Sequence, residues 1–230
     1  MNTSIYIGCL LILSQLGMAQ TNMISSGADM INFMNSDLDY IKNQDDRYAQ
    51  IEGTPYLVDD FQTGSISFKN VKYTGLELRF NPYEGYFEFK TEQGTKFLNP
   101  KVTRVDTVWL PGETYLYVQY MVGKSRKQSF MKAFHMGPTR VLLHNEVVLV
   151  QPEEGNGYDP AKPARFEKLA ESIYIGEAGK PAIEFKGKKS LEEIFPEQHA
   201  MLSSYAKSEK LKLKKIEDVV RLCEYYDAQR

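Results

Sequence analysis

Cysteine, histidine and tryptophan are scarce in this chain. Its 230 residues include two cysteines, three histidines and one tryptophan. Cys9 falls in an N-terminal apolar run that we interpret below as a signal peptide, so the mature chain keeps Cys223 alone and forms no internal disulfide. The three histidines stand in no His-x-His, His-Glu-x-x-His or Cys-x-x-Cys arrangement. The sequence therefore predicts no metal site and no cofactor.

The motifs of nucleophilic catalysis are also missing. There is no Gly-x-Ser-x-Gly turn to present a reactive serine. Cys223 lies on the apolar face of a predicted helix, where a thiol is buried and inert. His135 ends a predicted strand, His144 falls in a predicted hairpin turn and His199 lies on a predicted helix, so we interpret each as a structural or surface histidine.

Neither sign of charge dominates. The chain carries 28 basic and 30 acidic side chains, for a formal net charge of −2. This balance lacks the basic excess of a dedicated nucleic-acid-binding protein. A hydrophobic fraction of 42% is typical of one or two compact domains with a real core.

Long apolar runs are confined to the N-terminus. Ile5 to Leu13 is almost wholly apolar, and Gly17 and Ala19 are the small residues expected before a cleavage site. We interpret residues 1–19 as a signal peptide, with Gln20 as the first mature residue, although the segment contains no Lys or Arg. A buried N-terminal helix is the alternative. The run is shorter than the ~20 residues of a membrane span, so we predict an exported protein, periplasmic or extracellular, with no transmembrane span after cleavage.

Residues 20–54 form an acidic leader. Between residues 20 and 60 there are two basic and eight acidic side chains. Ile31, Met34, Leu38 and Ile41 recur at helical spacing and predict an amphipathic helix. Its apolar stripe would dock on the rest of the chain or on a partner.

Residues 55–186 show the period-two alternation of strands. Hairpin-length turns separate the runs, which indicates an antiparallel meander or a barrel-like sheet and not βαβ units. Tyr115 and Tyr117 alternate with Leu116, Val118 and Tyr120, so this strand is covered on both faces or carries an aromatic strip into a groove. The predicted strands include the runs 65–68, 76–80, 86–90, 105–110, 114–122, 127–134, 141–143, 147–150, 173–175 and 182–185.

Residues 187–230 are helical in pattern. Ser190 and Glu193 fit a capping box at the start of one helix. A second helix begins near Lys215, with apolar residues from Ile216 to Tyr226 on one face. The predicted fold class is α+β, mainly β, with an N-terminal helix and a C-terminal helical pair packed on the sheet.

Several turn, strand and cap signatures carry a resemblance. The segments 55–61 and 78–83 resemble a group of uncharacterised secreted proteins of Bacteroidota, as do the Lys-Ser-Leu at 189–191, the Phe-Pro-Glu at 195–197, the lysine-rich 210–215 and the Glu-Tyr-Tyr at 224–226. The resemblance spans about residues 53–228. It implies the envelope or exterior of a Gram-negative cell, and it implies no activity or catalytic residue.

Aromatic residues supply the candidate binding site. Rings with apolar faces and polar edges stack on sugar rings or on a peptide. The candidates are Trp109, Tyr115, Tyr117, Tyr83 and Tyr86; packing in the core is the alternative for all five.

The resulting hypothesis is an exported, non-catalytic binding or structural protein of the cell envelope, whose partner is an envelope protein or a glycan. A carboxylate-based glycan hydrolase is one alternative, because paired acids are set in three dimensions. For this role alternation places Glu77 and Glu88 on the wet face of their strands. An assembly partner of another envelope protein is the other alternative, and the oligomeric state is left open.

Overall fold

A computed structural model describes residues 45–68, 71–92, 94–98, 105–155, 158 and 160–230, and the backbone of 24–26. The protein is mostly β, with helices at its C-terminal end, as the alternation predicts. The strands are β1 (Ile24–Ser26), β2 (Gln62–Phe68), β3 (Val71–Asn81), β4 (Tyr86–Thr91), β5 (Gly94–Leu98), β6 (Val105–Leu110), β7 (Glu113–Val122), β8 (Ser125–Met136), β9 (Thr139–His144), β10 (Val147–Val150), β11 (Arg165–Lys168), β12 (Ser172–Glu177) and β13 (Ile183–Glu184). The α-helices are α1 (Leu191–Ile194), α2 (His199–Ser208) and α3 (Ile216–Ala228), and short 3-10 turns cover Asp45–Tyr48 and Lys188–Ser190.

The main sheet joins two antiparallel runs. Its order is β13-β12-β9-β8-β7-β6-β2-β3-β4-β5, with β1 added in parallel beside β3. Strands β2 to β5 and strands β6 to β9 each follow chain order, but β6 pairs with β2 and not with β5. Hydrogen bonding of β6 to the free edge of β2 thus interrupts the expected meander. The lack of a side chain at Gly64 permits this close approach of β6, because a Cβ there would lie 2.5 Å from the Trp109 carbonyl oxygen.

An aromatic core lies between the two runs. Phe87 on β4 contacts Phe130 on β8 and Tyr115 on β7, with ring centroids 5.1 and 5.2 Å apart. The sheet therefore curls until β3 and β4 pack over β7 and β8. The core residues are Ile66, Phe68, Leu76, Leu78, Phe80, Phe87, Phe89, Leu98, Val105, Val108, Tyr115 and Phe130.

The other face of β7 belongs to a second cluster. The Met121 amide donates to the Ala182 carbonyl and the Ala182 amide donates to the Gln119 carbonyl, so the chain just before β13 returns to β7. Strands β7, β8, β9, β12 and β13 thus close a ring of hydrogen-bonded strands. Val118, Tyr120, Met131, Leu142, Tyr174 and Ala182 pack together in it. Of the two alternatives predicted for β7, cover on both faces holds for Tyr115 on one face and for Val118 and Tyr120 on the other, whereas Gln119 is exposed.

The C-terminal helices bury the outer face of the ring. Val219, Leu222, Cys223 and Tyr226 are the buried residues of α3, and they form one cluster with side chains of β9, β12 and the two shorter helices. The capping-box prediction is wrong. The Ser190 hydroxyl makes no cap bond and instead accepts a hydrogen bond from the Lys186 amide, at 2.8 Å.

The hairpin expected at residues 141–150 is also wrong. Strand β9 pairs with β12, and β10 pairs with β11 in a separate two-stranded sheet. Glu52 bridges to Arg165 at the edge of β11, which ties the segment before β2 to this small sheet. The signal peptide and the leader stripe of Ile31, Met34, Leu38 and Ile41 lie outside the described residues, so their interpretation stays a prediction.

Candidate functional site

Two of the five predicted aromatic residues come together on the surface. Tyr117 on β7 and Tyr86 at the start of β4 are both partly buried. Burial raises the pKa of Tyr117, and the nearby Tyr86 raises it further. The Tyr86 ring packs edge-on against Phe97 on β5, with centroids 5.7 Å apart. Together Tyr86, Phe97 and Tyr117 place three aromatic rings beside the β7–β8 hairpin.

The other three candidates lie elsewhere. Tyr115 is 3% exposed and belongs to the aromatic core, where burial raises its pKa. Trp109 pairs with Thr114, one residue before Tyr115, so it occupies the opposite face of the sheet, with the Lys72 ammonium 4.4 Å from its ring centroid. Tyr83 packs edge-on against Tyr48, 6.2 Å away. The five rings therefore do not form a single platform.

A shallow depression adjoins Tyr117. It measures about 490 Å³ and is lined by Gln119, Arg126, Lys127 and Gln128. The Tyr117 hydroxyl lies 3.5 Å from Oε1 of Gln128. We call these five residues, from Tyr117 to Gln128, the hairpin surface. Amides and cations beside a partly buried ring can bind a ligand that carries both oxygen acceptors and apolar faces.

Positive charge is concentrated on the strands that form this surface. Between Glu113 and Glu146 the chain contains five basic residues and no acidic one. Lys124, Arg126 and Lys127 are exposed at the tip of the hairpin. They take part in no ion pair found among the described residues. These cations are therefore available to an external anion.

A larger groove separates the ring of strands from the start of α3. It measures about 680 Å³, and its floor includes Phe134, Leu143 and Ile173. Its lining includes three lysines and three glutamates. Some of them already pair within the chain, such as Lys132 with Glu113 at 2.6 Å. The rim thus offers no excess of either charge to select a partner.

The acid with the most distinctive environment is Glu88, and its predicted position on a wet face is wrong. Its side chain is fully buried. One carboxylate oxygen accepts from Arg79, with Nη2 at 2.7 Å, and the other accepts from Tyr56 and Asn81, each at 3.2 Å. Residues 45–61 cover this face of the sheet, which alternation alone cannot foresee.

The same network fixes that covering segment. The Arg79 guanidinium lies 3.7 Å from the ring centroid of Tyr56 and 4.3 Å from that of Phe61, and it donates to the Asp59 carbonyl at 3.0 Å. Burial raises the pKa of Tyr56, and the neighbouring Glu88 carboxylate raises it further. Because protein donors occupy both carboxylate oxygens of Glu88, this acid does not face a cleft as a general acid would. The network is structural.

His135, His144 and Cys223 also have structural environments. His135 approaches Asp227 of α3, with Nε2 3.1 Å from Oδ2. His144 packs against Tyr120 and Tyr174 at the end of the ring, where burial lowers its pKa. Burial raises the pKa of Cys223 to about 12. The prediction that this thiol is buried is confirmed, and its inertness stays a prediction.

In the part of the chain that the structure describes, no cluster of three or more His, Cys, Asp or Glu side chains is placed to hold a metal ion. Within the same residues no helix has the length and apolarity to cross a bilayer.

The sequence contained a signal for this surface that aromatic residues alone did not reveal. The 32-residue stretch without an acid could have been read directly from the chain. Its placement at a hairpin tip depends on the pairing of β7 with β8.

Comparison with family models, with curated proteins and with solved structures yields no match.

Proposed function

We propose that this is an exported, non-catalytic binding protein of the Gram-negative cell envelope, periplasmic or extracellular, and that it binds an acidic ligand on the hairpin surface. One observation carries the proposal: Arg126 and Lys127, exposed and without ion-pair partners among the described residues, line a depression that adjoins the Tyr117 ring, and Lys124 is exposed at the tip of the same hairpin. The resemblance to secreted Bacteroidota proteins supports the cellular setting.

Electrostatics sets the expected strength of binding. An exposed ion pair contributes about 0.2–1 kcal/mol. Three such pairs, formed by Lys124, Arg126 and Lys127, would contribute roughly 1–3 kcal/mol at low salt. Packing of the ligand against the Tyr117 ring and hydrogen bonds from the side-chain amides of Gln119 and Gln128 would add to this binding free energy. We therefore expect a weak single site that gains affinity on a polymeric ligand by multivalency.

Binding to acidic polymers tests this function. The probes are polygalacturonate, an acidic glycan, and poly-glutamate, with dextran as the neutral control. The mature chain should bind at least one acidic probe at low ionic strength. Its affinity for that probe should fall as added salt screens the charges. Dextran should not bind.

A charge-reversal variant locates the site. Arg126→Glu combined with Lys127→Glu should abolish the binding of acidic probes. Lys188→Glu combined with Lys189→Glu makes the same charge change at exposed positions far along the chain and should retain binding. Equal loss in both variants would assign the effect to net charge and contradict the hairpin surface as the site.

Export is tested separately. Expression of the full chain in a Gram-negative host should give a product that begins at Gln20, as measured by intact mass. A product that retains Met1 in the cytoplasm would contradict the signal-peptide interpretation.

A further inference from the structure

Along its first half, the outer edge of β8 has no strand partner among the residues that the structure describes. Strand β7 pairs with β8 from Ser125 to Lys132, whereas β9 joins the opposite edge only from Lys132 onward. Among the described strands, none pairs with that opposite edge between Ser125 and Met131. Such an edge presents main-chain groups that another extended chain can pair with.

The hydrogen bonds of Ala182 show which groups point outward. They engage the Met121 amide and the Gln119 carbonyl, so these two residues of β7 direct their main-chain groups away from β8. In an antiparallel pair, two residues directly opposite either bond to each other or both point away. Gln128 lies opposite Gln119 and Arg126 lies opposite Met121. Arg126 and Gln128 therefore direct their amide and carbonyl groups outward, while Lys127 between them bonds to Tyr120.

The charge beside this edge selects what can pair with it. Arg126, Lys127 and Lys124 are exposed, and the depression lined by Arg126 and Gln128 borders the outward amides. Two copies of this edge would place like charges opposite each other, which disfavours a dimer through β8. An acidic segment would instead set its carboxylates against the cations.

We infer that the β8 edge from Arg126 to Gln128 binds an extended acidic peptide segment of a partner protein by strand addition. This inference rests on the proposed function. The partner's main chain pairs with the outward amides and carbonyls of Arg126 and Gln128. Its side chains alternate in direction, so acids at every second position lie on the face of Lys127, while the intervening side chains lie on the face that Arg126 shares with Tyr117. An acidic glycan matches the charge but lacks the regularly spaced amides.

A pair of synthetic peptides tests the inference. The first is a fluorescein-labelled peptide of about ten residues, long enough for a typical strand, in which Glu alternates with Val. The second has the same sequence with its amides N-methylated at the valines, which keeps the charge and removes main-chain donors. We expect the first peptide to bind to the mature chain and the second to bind about tenfold more weakly, as for the loss of one or two hydrogen bonds.

A proline variant tests the same edge from the protein side. Gln128→Pro removes an outward amide without removing a hydrogen bond of the sheet, and proline is tolerated on such edges. It should stay folded and bind the first peptide about tenfold more weakly, with unchanged charge. Lys127→Pro removes an amide that bonds to Tyr120 and should lower the melting temperature, which checks the assignment of inward and outward groups.

The outcomes separate the inference from the proposed function. Selective loss of peptide binding on N-methylation and in Gln128→Pro supports strand addition. Equal binding of both peptides, or undiminished binding by a folded Gln128→Pro, overturns it. If polygalacturonate binds and the Glu/Val peptide does not, the inference fails while the proposed function stands. If no acidic probe binds at low salt, both fail, and the charges only protect the edge from aggregation.

Discussion

Removal of Arg79 should be among the most destabilising single changes in this protein. Arg79→Ala leaves the fully buried Glu88 without its cation. Loss of one partner of a buried ion pair typically costs about 3–5 kcal/mol. It also removes the bond to the Asp59 carbonyl and the contacts with the rings of Tyr56 and Phe61. We therefore expect the upper part of this range.

Thermal unfolding followed by circular dichroism measures the effect. For a chain of this size, 1 kcal/mol corresponds to about 2–4 °C in melting temperature, so a loss of about 4–5 kcal/mol should lower the melting temperature by roughly 8–20 °C. Lys162→Ala is the matched control, because it breaks an ion pair with Glu153 whose side chains are about half exposed. That control should cost about 1 kcal/mol or less.

A double variant tests the physical reason. Arg79→Leu with Glu88→Leu removes both charges and should be more stable than Arg79→Ala, because no buried charge is left unpaired. If Arg79→Ala unfolds within a degree or two of Lys162→Ala, the Glu88 network does not hold residues 45–61 on the sheet and the reasoning is refuted.

Three further predictions concern one close contact and two buried side chains. Gly137→Ala should cost about 1 kcal/mol in urea unfolding, because its Cβ would lie 2.5 Å from Nε2 of His135 and 2.6 Å from Oδ2 of Asp227 and would separate this pair; unchanged stability would contradict this contact. Burial lowers the pKa of His144 below 6.5, so as the pH falls the unfolded chain binds a proton at this residue before the folded chain does. The contribution of His144 to the free energy of unfolding should therefore be complete above pH 6.5 and be lost as the pH drops below it. His144→Phe should flatten that dependence. Burial raises the pKa of Cys223 to about 12, so a thiol reagent at pH 8 should react only after denaturant is added, and rapid labelling of the native chain would refute its burial.

The alternation of apolar and polar residues predicted the strands well, because it arises from the burial of one face of each strand. The run 105–110 matches β6, and Tyr115 and Leu116 lie on opposite faces as expected. The same rule failed for Glu88, because a distant segment covers the face that alternation leaves wet. Long-range pairing was equally invisible: nothing in the spacing of turns indicates that β6 joins β2.

The candidate site was predicted only in part for a similar reason. Tyr86 and Tyr117 have ordinary strand patterns, and so does Tyr115, which fills the core. Which ring reaches the surface depends on how the sheet curls. The envelope setting and the absence of catalysis stay predictions.

Strand β7 has a consequence for how the molecule unfolds. It contributes Tyr115 to the aromatic core and Val118 and Tyr120 to the cluster inside the ring. Neither cluster can be lost while β7 keeps its place, so the two halves of the β structure form one cooperative unit. Amide hydrogens in the middle of β7 should therefore exchange with solvent only when the whole domain opens, at a rate set by its global stability.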